Sequence, residues 1–294
     1  MTALERRLAS GLATPVDPAV TALAVHLAGT EEALGVLFYG SNLRTGLREG
    51  VLDFYVLLPG PQRERIWPRV SYREWEFEGE LLRAKIAAMS LETFASAARG
   101  ERIDSTIWAR FVQPSALVWQ RDAQAGQAIM RAVAEAAQTA ARLAAALGPP
   151  QGAVQDYWRA LFRATYAAEF RVEPSGREDS ILAVNAEHFE GLLAPALEAQ
   201  GIAFRRSGDV IVPHLPSARR RQLLRWWARC RRMGKALNIL RLVKASTTFE
   251  GAARYAAWKI ERHTGVKVEL TPWRERHPVM AAPLVLFAVW RARR

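Results

Sequence analysis

Two apolar runs set the first constraint on this chain. Gly35 to Tyr39 (GVLFY) ends abruptly in Gly40-Ser41, and a second run, Val51 to Leu58 (VLDFYVLL), follows after a short polar link. Each run has the length of a buried strand, and the Gly-Ser pair breaks the first into a tight turn. The second run carries one acid, Asp53. A carboxylate inside an apolar strand is costly unless a metal or a cation compensates it. The plainer alternative is an acid at an exposed strand end. Taken together, the parts are those a triphosphate site needs. Exposed backbone N–H groups and a small hydroxyl (Gly40, Ser41) can hold phosphates, and a carboxylate on a rigid neighbouring strand can hold a divalent metal against them.

That is the layout of a nucleotidyltransferase site, with one departure. Such sites usually carry two acids, one residue apart on one strand face; this chain has Asp53 and then Tyr55. Either Glu74, Glu76 or Glu78 supplies a second ligand from another strand, or fewer ligands suffice, or the site is inactive. Lys85, two residues after Arg83, is a cation set among the apolar Leu82, Ala84, Ile86 and Ala87. It reads as a contact to the leaving pyrophosphate or as an edge lysine whose head reaches water. The run Arg219 to Lys235 interleaves arginines with Trp226 and Trp227. It reads as a nucleic-acid face, a membrane-surface helix, or a solvated helix with buried tryptophans.

Composition narrows the classes. Half of the 294 residues are hydrophobic, which excludes wholesale disorder. The single cysteine, Cys230, excludes an internal disulfide and a cysteine-based zinc site, and fits a reducing compartment. The polar start MTALERRLASGLATP does not read as a secretory signal. No run reaches the roughly 18 apolar residues of a membrane span; Pro278 to Trp290 is a short apolar plug in an arginine collar. The net charge of +12 favours a polyanionic partner, although an arginine-rich composition throughout the chain explains part of it.

The pattern along the chain predicts a helix from Asp17 to Gly29, capped by Asp17 with Pro18 at its first position. Alternation of Glu74, Glu76 and Glu78 with Trp75 and Phe77 predicts a strand, with Leu81 to Met89 as its hairpin partner. Ser90 caps a helix to Arg99, Ala116 to Gln120 is a strand, and Ala123 to Leu147 is a long helix stopped by Gly148-Pro149-Pro150. Helices follow over Val154 to Phe170 and Asn185 to Gln200, then a hairpin around Ser207-Gly208. Helices over Ser217 to His263 are expected to join near Gly234 and Ser246.

These residues, in order, resemble the mitochondrial translocator-assembly-and-maintenance type of phosphatidate cytidylyltransferase and its bacterial relatives. The likeness rests on Tyr39-Gly40-Ser41, Leu52-Asp53-Phe54, Lys85 with Ser90, Arg110 with Pro114, Thr165-Tyr166 with Glu169-Phe170-Arg171, and Lys244 to Arg254. The family also lacks the second acid. Gln113 stands where it has a lysine, and Pro59 to Arg69 is too short for its Trp-His and Asn-rich insertion.

The resemblance implies an α+β chain. A nucleotidyltransferase-fold mixed sheet with helices (1–148) would be followed by a helical winged-helix-like domain (151–233). C-terminal helices (234–294) would complete the site and contact a membrane. It implies CTP as donor, Mg2+ as cofactor held by Asp53, and a lipid phosphate as acceptor. Gly40, Ser41, Lys85 and Arg110 would bind nucleotide, with Glu169, Arg171, Lys244 and Ser246 as further candidates. The expected setting is cytoplasmic, peripheral on the inner face of a bacterial membrane, with an anionic lipid surface as partner, no DNA, and room for a homodimer. The rivals are a nucleotidyltransferase with a soluble or RNA acceptor, and a non-catalytic nucleotide-binding module.

Overall fold

The computed structural model describes residues 1–168, 177–248, 251–276 and 278–292. Two helices open the chain, α1 (Ala3–Leu12) and α2 (Pro18–Glu31). Thr2 and Glu5 close a capping box on α1, a helix the sequence pattern did not reveal. Asp17 caps α2 as expected, accepting from the Ala19 amide at 2.8 Å. The helix runs past Gly29 because Glu32, at φ 50°, closes it with a bond from its N–H to the Ala28 carbonyl.

The sheet is then laid down by β1 (Gly35–Tyr39), a short helix α3 (Ser41–Thr45), β2 (Leu52–Leu58), β3 (Arg69–Phe77) and β4 (Glu80–Ser90). Helices α4 (Leu91–Ala98) and α5 (Thr106–Phe111) precede the last strand, β5 (Ser115–Gln120). The order is β3-β4-β2-β1-β5, with β2 and β4 parallel and the other neighbours antiparallel. The architecture is therefore mixed α+β around a five-stranded mixed sheet. Glu78 is not in the strand: with Gly79 it forms the β3–β4 turn, both at positive φ, as a two-residue hairpin with Phe77 opposite Glu80 requires.

Side chains alternate across the sheet. Val36, Phe38, Leu52, Phe54, Val56 and Ile86 pack against α2 in one apolar cluster. Leu37, Tyr55, Leu57, Ala87 and Met89 face the other way, into a larger cluster with α1, α4, α5 and the alanine-rich α6 (Ala123–Leu147). That second cluster continues beyond Gly148. It includes Trp158 and Phe162 of α7 (Val154–Ala168), which follows the short strand β6 (Gly152–Ala153), and Ile181 and Leu182 of α8 (Arg177–Val184). The expected helix over Asn185 to Gln200 is two pieces, α9 (Ala186–Glu190) and α10 (Leu193–Ala199), parted at Gly191. There Arg7 fills the space a Cβ would take. The basic hairpin is present as β7 (Phe204–Ser207) and β8 (Val210–Pro213), and β6 extends it to three strands.

The C-terminal part comprises α11 (Ser217–Thr248), α12 (Ala252–Thr264), α13 (Pro272–Arg276) and α14 (Pro278–Ala292). The expected break at Gly234 does not occur, because α11 runs through it, whereas α11 does end at Thr248, two residues past the junction expected near Ser246. Gly234 serves close approach instead: a Cβ there would lie 2.9 Å from the Ala168 carbonyl oxygen of α7. Trp227 and Cys230 are buried on the inner side of α11. Among the described residues, no helix is long and apolar enough to cross a membrane.

Candidate active site

Register assembles the site. Tyr39 pairs with Asp53, Asp53 with Lys85, and Lys85 with Tyr72. Directly opposed residues share a sheet face, so these four side chains form one row across β1, β2, β4 and β3. The row lies on the face of the larger apolar cluster, at the end of the sheet where β1 delivers the chain into Gly40-Ser41.

Gly40 sits at φ 94° and ψ −160°, a conformation essentially reserved for glycine. A Cβ there would stand 3.2 Å from Asp53 Oδ2. Glycine thus keeps the space beside the carboxylate open. Ser41 is exposed and starts α3, with its Oγ donating to Asn42 Oδ1 at 3.3 Å. The Asn42 amide is buried, and its Nδ2 donates to the carbonyls of Leu47 and Glu49 at 2.8 Å each. It pins the link that returns the chain to β2.

Asp53 is mostly covered. Burial pushes its carboxyl up, and the charges of Lys85 and then Arg110 pull it back down. Lys85 is shifted down by burial, against the favourable charge of Asp53, with Arg110 and Lys259 pressing the same way as burial. Arg110, delivered by α5, lies over the Tyr39 ring with its guanidinium carbon 5.2 Å from the centroid. Burial pushes the Tyr39 hydroxyl up to about 12, Arg110 opposing and Asp53 adding to the rise. Among the described residues, one carboxylate thus stands amid several cations, an arrangement suited to anions.

Helix α12 covers the β3 side of this face. Gly251 enters it at φ 80°, and a Cβ there would lie 2.4 Å from the Tyr72 carbonyl oxygen. Tyr255 packs on Tyr72 with ring centroids 5.4 Å apart, and the Lys259 ammonium stands 5.8 Å from the Tyr255 centroid. Trp258 takes Arg262 at 5.3 Å and Arg83 at 5.7 Å from its ring centre. The Tyr255 hydroxyl is raised by burial and then by the Asp53 charge.

Of the residues read from sequence, Gly40, Ser41, Asp53, Lys85 and Arg110 come together. Glu74 does not join them: its carboxylate accepts from Tyr72 Oη at 2.9 Å and faces Arg83 Nε at 3.6 Å. Both it and Glu76 lie on β3, with β4 between that strand and Asp53. Glu169 and Arg171 lie outside the described residues, and for Lys244 and Ser246 only the helical backbone of α11 is described. Sequence reading missed Tyr72, Tyr255, Trp258, Lys259 and Arg262. The alternating β3 pattern and the aromatic-basic string of α12 were visible, but nothing local ties either to Asp53.

Among the described residues, no group of three or more His, Cys, Asp or Glu could hold a metal ion. Magnesium is commonly bound by one or two carboxylates with substrate phosphates and water completing its shell. Asp53, with the space that Gly40 leaves beside Oδ2, fits that smaller role. No protein-family model matches the chain, and no curated protein matches it.

Proposed function

We propose that this chain is a nucleotidyltransferase that transfers CMP from CTP to phosphatidate or a related lipid phosphate, releasing pyrophosphate. The observation that carries the reaction class is the row Tyr39–Asp53–Lys85 beside Gly40, whose missing Cβ leaves room 3.2 Å from the carboxylate. The choice of CTP and of a lipid phosphate draws its support from the ordered resemblance of the motifs between Tyr39 and Arg254.

In this reading the turn at Gly40-Ser41 receives the triphosphate with backbone N–H groups and the exposed Ser41 hydroxyl. Asp53 would hold Mg2+ together with phosphate oxygens, and the ion supplies charge neutralisation there. Lys85 and Arg110 neutralise the pyrophosphate as it leaves. An oxygen of the acceptor's phosphate monoester attacks the α-phosphorus, and the bond from that phosphorus to the bridging oxygen breaks. The attacking oxygen is already anionic, so no protein nucleophile or general base is required, and positioning carries the catalysis. On the α12 side, Lys259, whose charge is felt at Lys85, and Arg262 would hold the second anion. The exposed apolar side chains of α14, Met280 and Leu284, suit contact with a lipid surface on the cytoplasmic side.

The test is product identification. Purified protein, CTP, Mg2+ and phosphatidate in mixed micelles should yield a CDP-lipid by mass spectrometry. Cytidylylation of a soluble phosphate but not of the lipid would move the assignment to the soluble-acceptor reading.

A further inference from the structure

The charge of this protein is concentrated in one stretch. Residues 201–248 contain twelve Arg and Lys and one acid, Asp209, so they hold eleven of the net twelve positive charges. Ten of the twelve are arginines, whose planar forks suit phosphate better than the point charge of lysine.

The structure gives part of this stretch a concave form. A groove of about 1250 Å³ runs between α11 and the end of α6, lined by Arg142, Arg219, Arg225, Arg229 and Arg232. Among the described residues no acid lines it, and it shares no lining residue with the Asp53 site. Arg225, Arg229 and Arg232 are spaced by four and three residues, so they form one stripe along the helix. From Arg219 to Arg232 the stripe spans about 20 Å at the helical rise.

The floor is built rather than incidental. Arg142 is half-buried, stacks over Trp226 at 5.7 Å and donates through Nη2 to the Arg99 carbonyl at 2.6 Å. Its buried Nε has no hydrogen-bond partner among the described residues. Burial, and then the charge of Arg219, pull Arg142 below the usual arginine range. An arginine does not give up its proton in a protein, so a bound anion would relieve that cost. Gly100 at the groove edge leaves the room this stacking needs: a Cβ would lie 2.8 Å from Arg142 Nη2 and 3.0 Å from Trp226.

We propose that the groove between α6 and α11 binds a single-stranded phosphodiester chain, with Arg219, Arg225, Arg229 and Arg232 on successive phosphates and Arg142 on the floor. The exposed Arg225, Arg229 and Arg232 suit any anionic surface, whereas the half-buried Arg142 calls for a ligand that enters the groove. A flexible single strand can track a basic groove of this kind with its backbone. The groove does not depend on the nucleotidyltransferase reading and leaves it unchanged.

The test is fluorescence anisotropy of a labelled oligouridylate of about 12 nucleotides, repeated with oligothymidylate. Three full-length proteins are compared: wild type, Arg225→Ser/Arg229→Ser/Arg232→Ser, and a charge-matched control, Arg205→Ser/Arg221→Ser/Arg231→Ser, whose changes lie outside the groove. Four phosphate contacts give a slope of log affinity on log salt of about −3. The groove variant should lose about tenfold or more in affinity, with a slope near −1. The control should lose only about twofold through long-range charge, and all three should melt alike. Equal losses in the two variants would mean unspecific attraction to a basic surface and would overturn the proposal. So would absence of oligonucleotide binding, or a groove variant that loses only its binding to phosphatidylglycerol vesicles.

Discussion

Replacing Gly40 with alanine separates the role of backbone conformation from the role of space beside Asp53. The backbone at φ 94° and ψ −160° costs an L-residue about 1–3 kcal/mol. The new methyl would also stand 3.2 Å from Asp53 Oδ2 and 3.8 Å from Asp53 Cβ, so the carboxylate must move by a few tenths of an ångström. Gly46 provides the control. It has φ 68° and ψ 3° with nothing within 4 Å of an added methyl, so alanine there meets only the left-handed penalty of about 1–2 kcal/mol. Urea unfolding should therefore show Gly40→Ala as the more destabilised by about 1 kcal/mol, with both proteins folded, since domains of this kind have about 5–15 kcal/mol in hand. Calorimetric titration with CTP and Mg2+ should find binding weakened about tenfold or more, about 1.4 kcal/mol, in Gly40→Ala. Gly46→Ala should bind normally. A Gly40→Ala protein that unfolds no earlier than Gly46→Ala and binds CTP like wild type would refute the claim that this glycine clears the carboxylate.

Tyr39 gives a pH dependence. Its hydroxyl is raised to about 12 in the folded state from an ordinary 10.0, so its contribution is complete below pH 10 and is lost as pH rises toward 12. The loss should be on the order of 1–2 kcal/mol, and thermal melts of Tyr39→Phe should fall less steeply over that window than wild type; parallel curves would exclude it. Lys259 is exposed, so Lys259→Ala should leave the melting temperature unchanged. The same change should slow nucleotidyl transfer about tenfold; an unaltered rate would remove α12 from the site.

The legible parts of this fold were those encoded by local contrast. Asp17 and Ser90 stand immediately before helices and cap them. Gly40 stood out because it ends an apolar strand, and Asp53 because it interrupts one. The unforeseen parts depend on partners distant in sequence. The six-residue α5 is too short to show a helical period, yet it delivers Arg110. Gly234 looked like a helix end because its reason, the Ala168 carbonyl, lies on another helix. The row from Asp53 to Tyr72 exists only through the register of β4 between β2 and β3, and Tyr255 reaches Tyr72 across 183 positions of chain. Glu74 matched the composition of a metal ligand, but its strand position commits it to Tyr72 and Arg83.

The central claim is that Asp53, set among Lys85 and Arg110 beside Gly40, makes this a nucleotidyl-transfer site. The most direct measurement is pyrophosphate release from CTP and Mg2+, with and without phosphatidate in mixed micelles, for wild type and Asp53→Asn. Lipid-dependent release by wild type, abolished in an Asp53→Asn protein that melts as a folded domain, is the predicted result. Release that survives Asp53→Asn, or a wild-type protein that neither releases pyrophosphate nor binds CTP, would contradict it.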